Sequence, residues 1–154
     1  MMTATHTDRA GETTAWVARL AGSRLARSIS AVTTGLCGVI VLVSASGKLT
    51  NQTAVVELLD QVEVHGLLRD VLPFVQMAGG VAAIASLIRF PRLGVLALAC
   101  LSLYFVGAVI AHLRVGDGVS DYSIPLGYVV VMAAAALFRS ITIRDSTRPS
   151  EPPS

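Results

Sequence analysis

Charge is scarce in this chain. Only 14% of its 154 residues are Asp, Glu, Lys or Arg, against about 25% in an ordinary soluble domain. Lysine is nearly missing: Lys48 stands alone beside eleven arginines. Two cysteines, Cys37 and Cys100, sit singly in apolar runs. With no C-x-x-C, neither a thioredoxin-like redox pair nor a tetrahedral zinc site is expected. The three histidines, His6, His65 and His112, are scattered. Gly116-Asp117-Gly118 with Asp121 lacks the carboxylate density of a calcium loop, so no metal site is expected. There is no G-x-G-x-x-G, no Walker loop and no G-x-S-x-G. No nucleophile–base pair is visible, so no catalytic residue is assigned and a stand-alone enzyme is not favoured. A net charge of +2 without a basic stripe gives no reason to expect nucleic acid as a partner.

What the chain has in abundance is apolar surface. Hydrophobic residues make up 53%, and the mean hydropathy is +0.68. That composition excludes a disordered chain and a disulfide-stapled secreted scaffold, and points to an integral membrane protein. A helix needs about 20 mostly apolar residues to cross a bilayer core. Four stretches qualify, at about 28–46, 71–88, 93–113 and 122–138. They do not alternate as membrane strands would, and hydrocarbon demands that the backbone bond to itself, so helices are predicted. The predicted fold is therefore all-α: an up-down-up-down four-helix membrane bundle. Residues 1–27 read as a polar arm and 140–154 as a tail, both expected to be disordered, around a four-helix domain at 28–139.

Nine of the arginines flank one side of these spans, while Lys48, Arg69 and Arg114 flank the other. The positive-inside rule then puts both termini in the cytoplasm, and the arginine-over-lysine bias fits a GC-rich bacterial genome, so a bacterial inner membrane is the expected location. Val43-Ser44-Ala45 resembles a signal-peptide cleavage site, but a leading region of about 30 residues is long for a signal, and the stretch is kept as the first span. Arg19, Arg24 and Arg27 near Trp16 read as a flank at the anionic headgroups, or as an interfacial helix.

The first outer loop carries a short amphipathic helix over 53–65. Val55, Leu58, Leu59 and Val62 recur at helical spacing opposite Glu57, Asp60, Gln61 and Glu63, and Gly66 is its stop. Small residues four apart, at Ala31/Gly35, Gly79/Ala83 and Gly107/Ala111, are candidate helix contacts. Pro73 and Pro125 fall near helix starts, where a missing N–H costs little. The cysteines read as inert buried thiols.

Polar residues gather towards the outer half. Lys48, Gln76, Tyr104, His112, Arg114 and Tyr128 are candidates for one pocket there, with Gln76, Tyr104 and Tyr128 roughly 8–14 Å below the interface. His112 leads, because an imidazole at a helix end exchanges protons near neutral pH. Each also has a plainer role. Lys48 and Arg114 snorkel, the tyrosines pack, and Gln76 bonds to a neighbouring helix.

The motif SGKLT at 46–50 follows the first span, and AHLRVGD at 111–117 follows the third. With four spans at this loop spacing, the chain resembles the DoxX-like family of small bacterial membrane proteins over about residues 30–140. The resemblance implies a four-helix transmembrane bundle. It also implies an accessory role beside membrane enzymes that handle quinones or thiols, some relatives being small subunits of thiosulfate:quinone oxidoreductase. By motif position, Lys48 carries over as the lysine after the first span, and His112 and Arg114 as the basic pair after the third. No cysteine lies on the outer side, which argues against direct thiol exchange. The expectation is a non-catalytic subunit of a quinone- or thiol-linked membrane redox complex, with the lipid bilayer and a redox enzyme as partners; no resident cofactor is expected, and a quinone is the candidate ligand. The alternatives are a structural anchor or assembly factor and, third, a small-molecule or proton carrier, which the lack of charge at the bilayer centre disfavours.

Overall fold

The computed structural model describes residues 24–146 apart from 51 and 65. The expectations for Trp16, Arg19, His6 and His65, and for the chain before 24 and after 146, lie outside the described residues. Five helices and no strand appear among the described residues: α1 Arg24–Leu49, α2 Thr53–Gln61, α3 Leu67–Ala85, α4 Pro91–Arg114 and α5 Val119–Ser146. All but α2 are long and apolar enough to cross a membrane. At 1.5 Å per residue the 26 residues of α1 span about 39 Å and the 19 of α3 about 28 Å, against a hydrocarbon core of about 30 Å.

Short connections make consecutive spans antiparallel neighbours. α1 pairs with α3 and α4 with α5, while α3–α4 and α1–α5 contacts close the ring. The end carrying α2 and the α4–α5 turn is called the loop end below, and the other the termini end. The large side chains point out of this ring. On α1, Leu25, Ile29, Val32, Leu36, Val39 and Val43 form one exposed stripe at helical spacing. Leu67 is 78% exposed and Ile88 is 88% exposed. A surface this apolar has lipid for its solvent, so small and polar residues are left to fill the interior. Val41, Leu98, Leu101, Phe105 and Met132 make the apolar core. Ser30 and Thr34 are buried beside them, and Thr34 returns its hydroxyl to the Ser30 carbonyl at 2.7 Å.

α1 and α3 cross closely at a pair of glycines. A methyl added to Gly38 would lie 3.0 Å from the Gly80 carbonyl oxygen, and one added to Gly80 would lie 3.0 Å from that of Gly38. The small-residue pairs seen in the sequence serve unevenly. Gly79 meets Leu101 of α4, and Gly35 meets Leu87 beyond the end of α3, but Gly107 faces open space. Cys37 is buried as expected, whereas Cys100 is exposed. The inward face of α4 runs through Gly94, Leu98, Leu101 and Phe105, which leaves Cys100 outside it.

Other boundaries move. α5 continues through 140–146, where a tail was expected, because Thr142 is buried and donates to the Ser30 hydroxyl of α1 at 3.4 Å. α1 starts at Arg24, inside the expected arm. α2 ends at Gln61 rather than near Gly66, and Glu63 turns the chain with φ 56°. Val56 joins its inner face, and Leu58 points out. Pro73 and Pro125 are each the seventh residue of their helices, so each frees the carbonyl four residues back, that of Arg69 or Asp121 in the first turn, rather than sparing an unused N–H.

Arg139, counted in the sequence as a flanking cation, is buried. Its guanidinium donates to the Ser86 carbonyl and to the Pro91 carbonyl, both at 3.2 Å, and to the Ser86 hydroxyl at 3.3 Å. It thereby satisfies the Ser86 carbonyl at the C-terminal end of α3, where a cation also suits the helix dipole, and ties the first residue of α4 to α5. A side chain at Gly94 would run into Ser86 and Arg139.

Gly80→Val is expected to destabilise by about 1–3 kcal/mol through overpacking. Gly107→Ala is expected to be neutral or slightly stabilising. Thermal unfolding in detergent, followed by circular dichroism, checks both. Equal losses would contradict a crossing at Gly38 and Gly80.

Candidate functional site

Three of the six candidates converge. Gln76, in the third turn of α3, is 0% exposed. Lys48, in the last turn of α1, donates to Gln76 Oε1 at 2.8 Å. Tyr104 of α4 donates to the same oxygen at 3.2 Å. The Lys48 ammonium also reaches the Ser44 hydroxyl at 3.3 Å, one turn down its own helix. Three helices thus meet at one amide oxygen. The other half of that amide, Nε2, is buried with no partner among the described residues. An amide whose oxygen receives two donors still carries an NH2 that needs acceptors, and a buried donor left unmatched costs about 1–3 kcal/mol.

Tyr128 joins this group only through an intermediary. Its ring stacks on Phe105 at a centroid distance of 4.7 Å, and Phe105 meets Tyr104 edge-on at 5.2 Å. The aromatic rings form the apolar wall beside Gln76. A cleft of about 310 Å³ opens beneath α2, lined by Val55, Val56 and Leu59 above and by Lys48, Arg69, Asp70, Pro73 and Phe74. Lys48 belongs to both the cleft and the Gln76 cluster. Gln76 itself does not line the cleft and lies behind Lys48.

His112 and Arg114 stand apart. His112 is buried near the end of α4, with Nδ1 2.6 Å from Asp117 Oδ2. The chain folds Asp117 back over His112 by a helix-ending turn. Gly116 takes φ 78°, its N–H donates to the Leu113 carbonyl at 3.3 Å, and the Asp117 N–H donates to the His112 carbonyl at 3.1 Å. This is the Schellman arrangement, and it needs a residue at ease with positive φ at Gly116. Asp117 also accepts from Gln61 of α2 at 3.0 Å. Arg114 pairs with Glu63 at 3.3 Å on the exposed surface, and Arg69 pairs with Asp60 at 3.0 Å. These contacts hold α2 over the bundle end. Exposed pairs of this kind are each worth at most about 1 kcal/mol.

Asp117 was read from the sequence only as part of a turn. The available signal was the spacing His112 to Gly116-Asp117, which places an aspartate one residue beyond a helix-ending glycine. The hydrogen bond from His112, then that from Gln61, hold the Asp117 carboxyl below the usual carboxylate range. A depressed folded pKa stabilises the fold above the unfolded value of about 3.9, and that share is lost as pH falls through the folded value.

With the geometry in place, comparison with known proteins adds one match. The model of the DoxX-like family matches residues 32–136, about two thirds of the chain. No curated protein and no solved structure matches.

Asp117→Asn is expected to remove one acid-sensitive component of stability. Wild-type stability should fall more steeply than the variant's as pH drops below about 4, measured by thermal unfolding across an acid series. Parallel profiles would contradict the His112–Asp117 assignment.

Proposed function

The chain belongs to the DoxX-like family, and we propose that it is a non-catalytic subunit of a membrane redox complex, holding a quinone head group beside Gln76. The observation that carries this reading is the buried Gln76 amide with its unpartnered Nε2. A quinone carbonyl is an acceptor without a donor, so it complements that N–H and the adjacent Lys48 ammonium. Tyr104 and Lys48 fix the amide by occupying Oε1. The Phe105 and Tyr128 rings, with Pro73 and Phe74 at the cleft, offer the apolar surroundings that an isoprenoid quinone requires. Such sites combine a mostly apolar lining with few placed polar groups.

The chain's own part is to bind and orient. Conversion of a quinone to its quinol takes two electrons and two protons. In this reading the partner enzyme supplies the electrons, and water at the loop end supplies the protons. The distribution of arginines supports an orientation with the termini in the cytoplasm of a bacterial cell and the loop end outside. His112 is engaged by Asp117, which shifts the head-group role from His112 to Gln76.

The test is purification of the tagged chain from its native membrane in mild detergent, with bound quinone and co-purifying subunits quantified. Gln76→Leu is expected to lower quinone per chain about tenfold, the worth of one buried hydrogen bond of about 1.4 kcal/mol, while the redox partner stays bound. His112→Ala should retain the quinone. A partner that co-purifies with equal quinone in wild type and Gln76→Leu would overturn the head-group site. A non-redox partner without quinone would favour the structural anchor.

A further inference from the structure

The AHLRVGD motif at 111–117 takes no part in the Gln76 cluster, yet its three polar side chains all serve the α2 segment. His112 holds Asp117 Oδ2 at 2.6 Å, and Asp117 Oδ1 accepts from Gln61 of α2 at 3.0 Å. Arg114 meets Glu63, just past the end of α2, at 3.3 Å. Arg69 of α3 adds a pair with Asp60 at 3.0 Å. All of these contacts fall on residues 60–63, at one end of α2. At its other end, Gln52 makes no side-chain capping hydrogen bond.

Beneath α2 the molecule is open. Val55, Val56 and Leu59 roof the cleft of about 310 Å³ instead of closing on Pro73 and Phe74. Within α2 only Leu59 is buried, and a helix of nine residues is too short to be stable by itself. The chain then turns at Glu63, φ 56°, and again at Gly66, φ 61°, so α2 is set off from the span that follows. Its clasps are unequal. Arg114 and Glu63 are both well exposed, and so is Asp60; pairs of this kind hold weakly. Asp117 and His112 are only 13% and 5% exposed, and both carboxylate oxygens of Asp117 are engaged. A hydrogen bond to a charged group is the stronger kind. We propose that α2 is a lid over the loop-end cleft, latched by Gln61 on Asp117, with His112 as the positioning residue that holds Asp117 in place. Latched, α2 slows the entry of water-borne molecules to Lys48. Released, it swings on the turns at its two ends and opens the cleft. The lid acts on access whatever molecule occupies the cleft, so it stands apart from the quinone reading.

Lys48 is the chain's single lysine and lines the cleft, so its acetylation reports opening. The purified full chain in mild detergent is treated at one fixed pH with a water-soluble acetylating ester, and modification of Lys48 is followed by peptide mass spectrometry. Maleimide labelling of Cys37, buried in the core, runs in parallel and reports loosening of the whole bundle. Gln61 is exposed, so Gln61→Ala leaves the core untouched. It is expected to speed Lys48 acetylation about fivefold, the worth of one hydrogen bond. His112→Ala should do the same, and the double variant should add no more than about twofold, because both changes break one latch. Glu63→Gln, which breaks an exposed pair, should change the rate by about twofold or less. Cys37 labelling should stay at the wild-type rate throughout. Equal Lys48 rates in wild type and Gln61→Ala would overturn the lid. So would Cys37 labelling that rises in step with Lys48, which would mean that the bundle itself loosens. A double variant whose effect is the product of the two single effects would overturn the positioning role of His112.

Discussion

A helix in hydrocarbon has no water to hydrogen-bond with, so each polar side chain must find its partner inside the bundle or at one of its two ends. The rest of this molecule follows from that constraint. Large aliphatic side chains go outward because lipid accepts them without cost. Small and polar residues then pack around a core of Val41, Leu98, Leu101, Phe105 and Met132, and α1 and α3 approach until a Cβ on Gly38 or Gly80 would crowd the other's carbonyl oxygen. Polarity that remains collects at two levels. Arg139, Ser86 and Thr142 knit the termini end, and Lys48, Gln76 and Tyr104 knit the loop-end half.

The two levels differ in how completely they are satisfied. At the termini end the Arg139 guanidinium meets the Ser86 carbonyl where α3 stops and the Pro91 carbonyl where α4 starts, so burial of a cation is matched by fixed dipoles. At the loop end the Gln76 oxygen carries two donors while its nitrogen carries none. An unmatched amide N–H in a dry interior opposes folding by about 1–3 kcal/mol, a large share of the margin by which a domain is stable. Leucine would remove that unmatched N–H but would also take away the acceptor that Lys48 and Tyr104 share. The amide oxygen is needed by Lys48 and Tyr104, and the free N–H is what the proposed ligand would use, with Lys48 shared between the cluster and the cleft.

Much of the fold was legible in sequence because the bilayer dictates it through composition alone. Four apolar runs, their polarity and the amphipathic pattern of α2 require no knowledge of which helix touches which. What depends on register between helices was not legible. Gly38 and Gly80 are 42 positions apart and carry no shared motif, whereas the regular Gly107/Ala111 pair faces nothing. Cys100 and Leu101 look alike in an apolar run, yet a 100° step on the helix separates the lipid from the core. In the site, Lys48, Gln76 and Tyr104 could be grouped by depth, since 1.5 Å per residue fixes height. Depth does not fix azimuth, so His112 was grouped with them although the Gly116 turn gives it Asp117 instead. Arg139 looked like any flanking cation because its partners are backbone carbonyls, which leave no trace in sequence.

The central claim, that the Gln76 amide awaits an acceptor, can be observed at the amide itself. The chain has three glutamines, Gln52, Gln61 and Gln76, so glutamine-selective 15N labelling of the detergent-solubilised protein gives few side-chain signals to assign. Titration with a short-chain quinone is expected to shift the Gln76 Nε2 protons downfield, as hydrogen bonding does, while Gln52 and Gln61 stay in place. A Gln76 signal that does not move at saturating quinone would contradict the account.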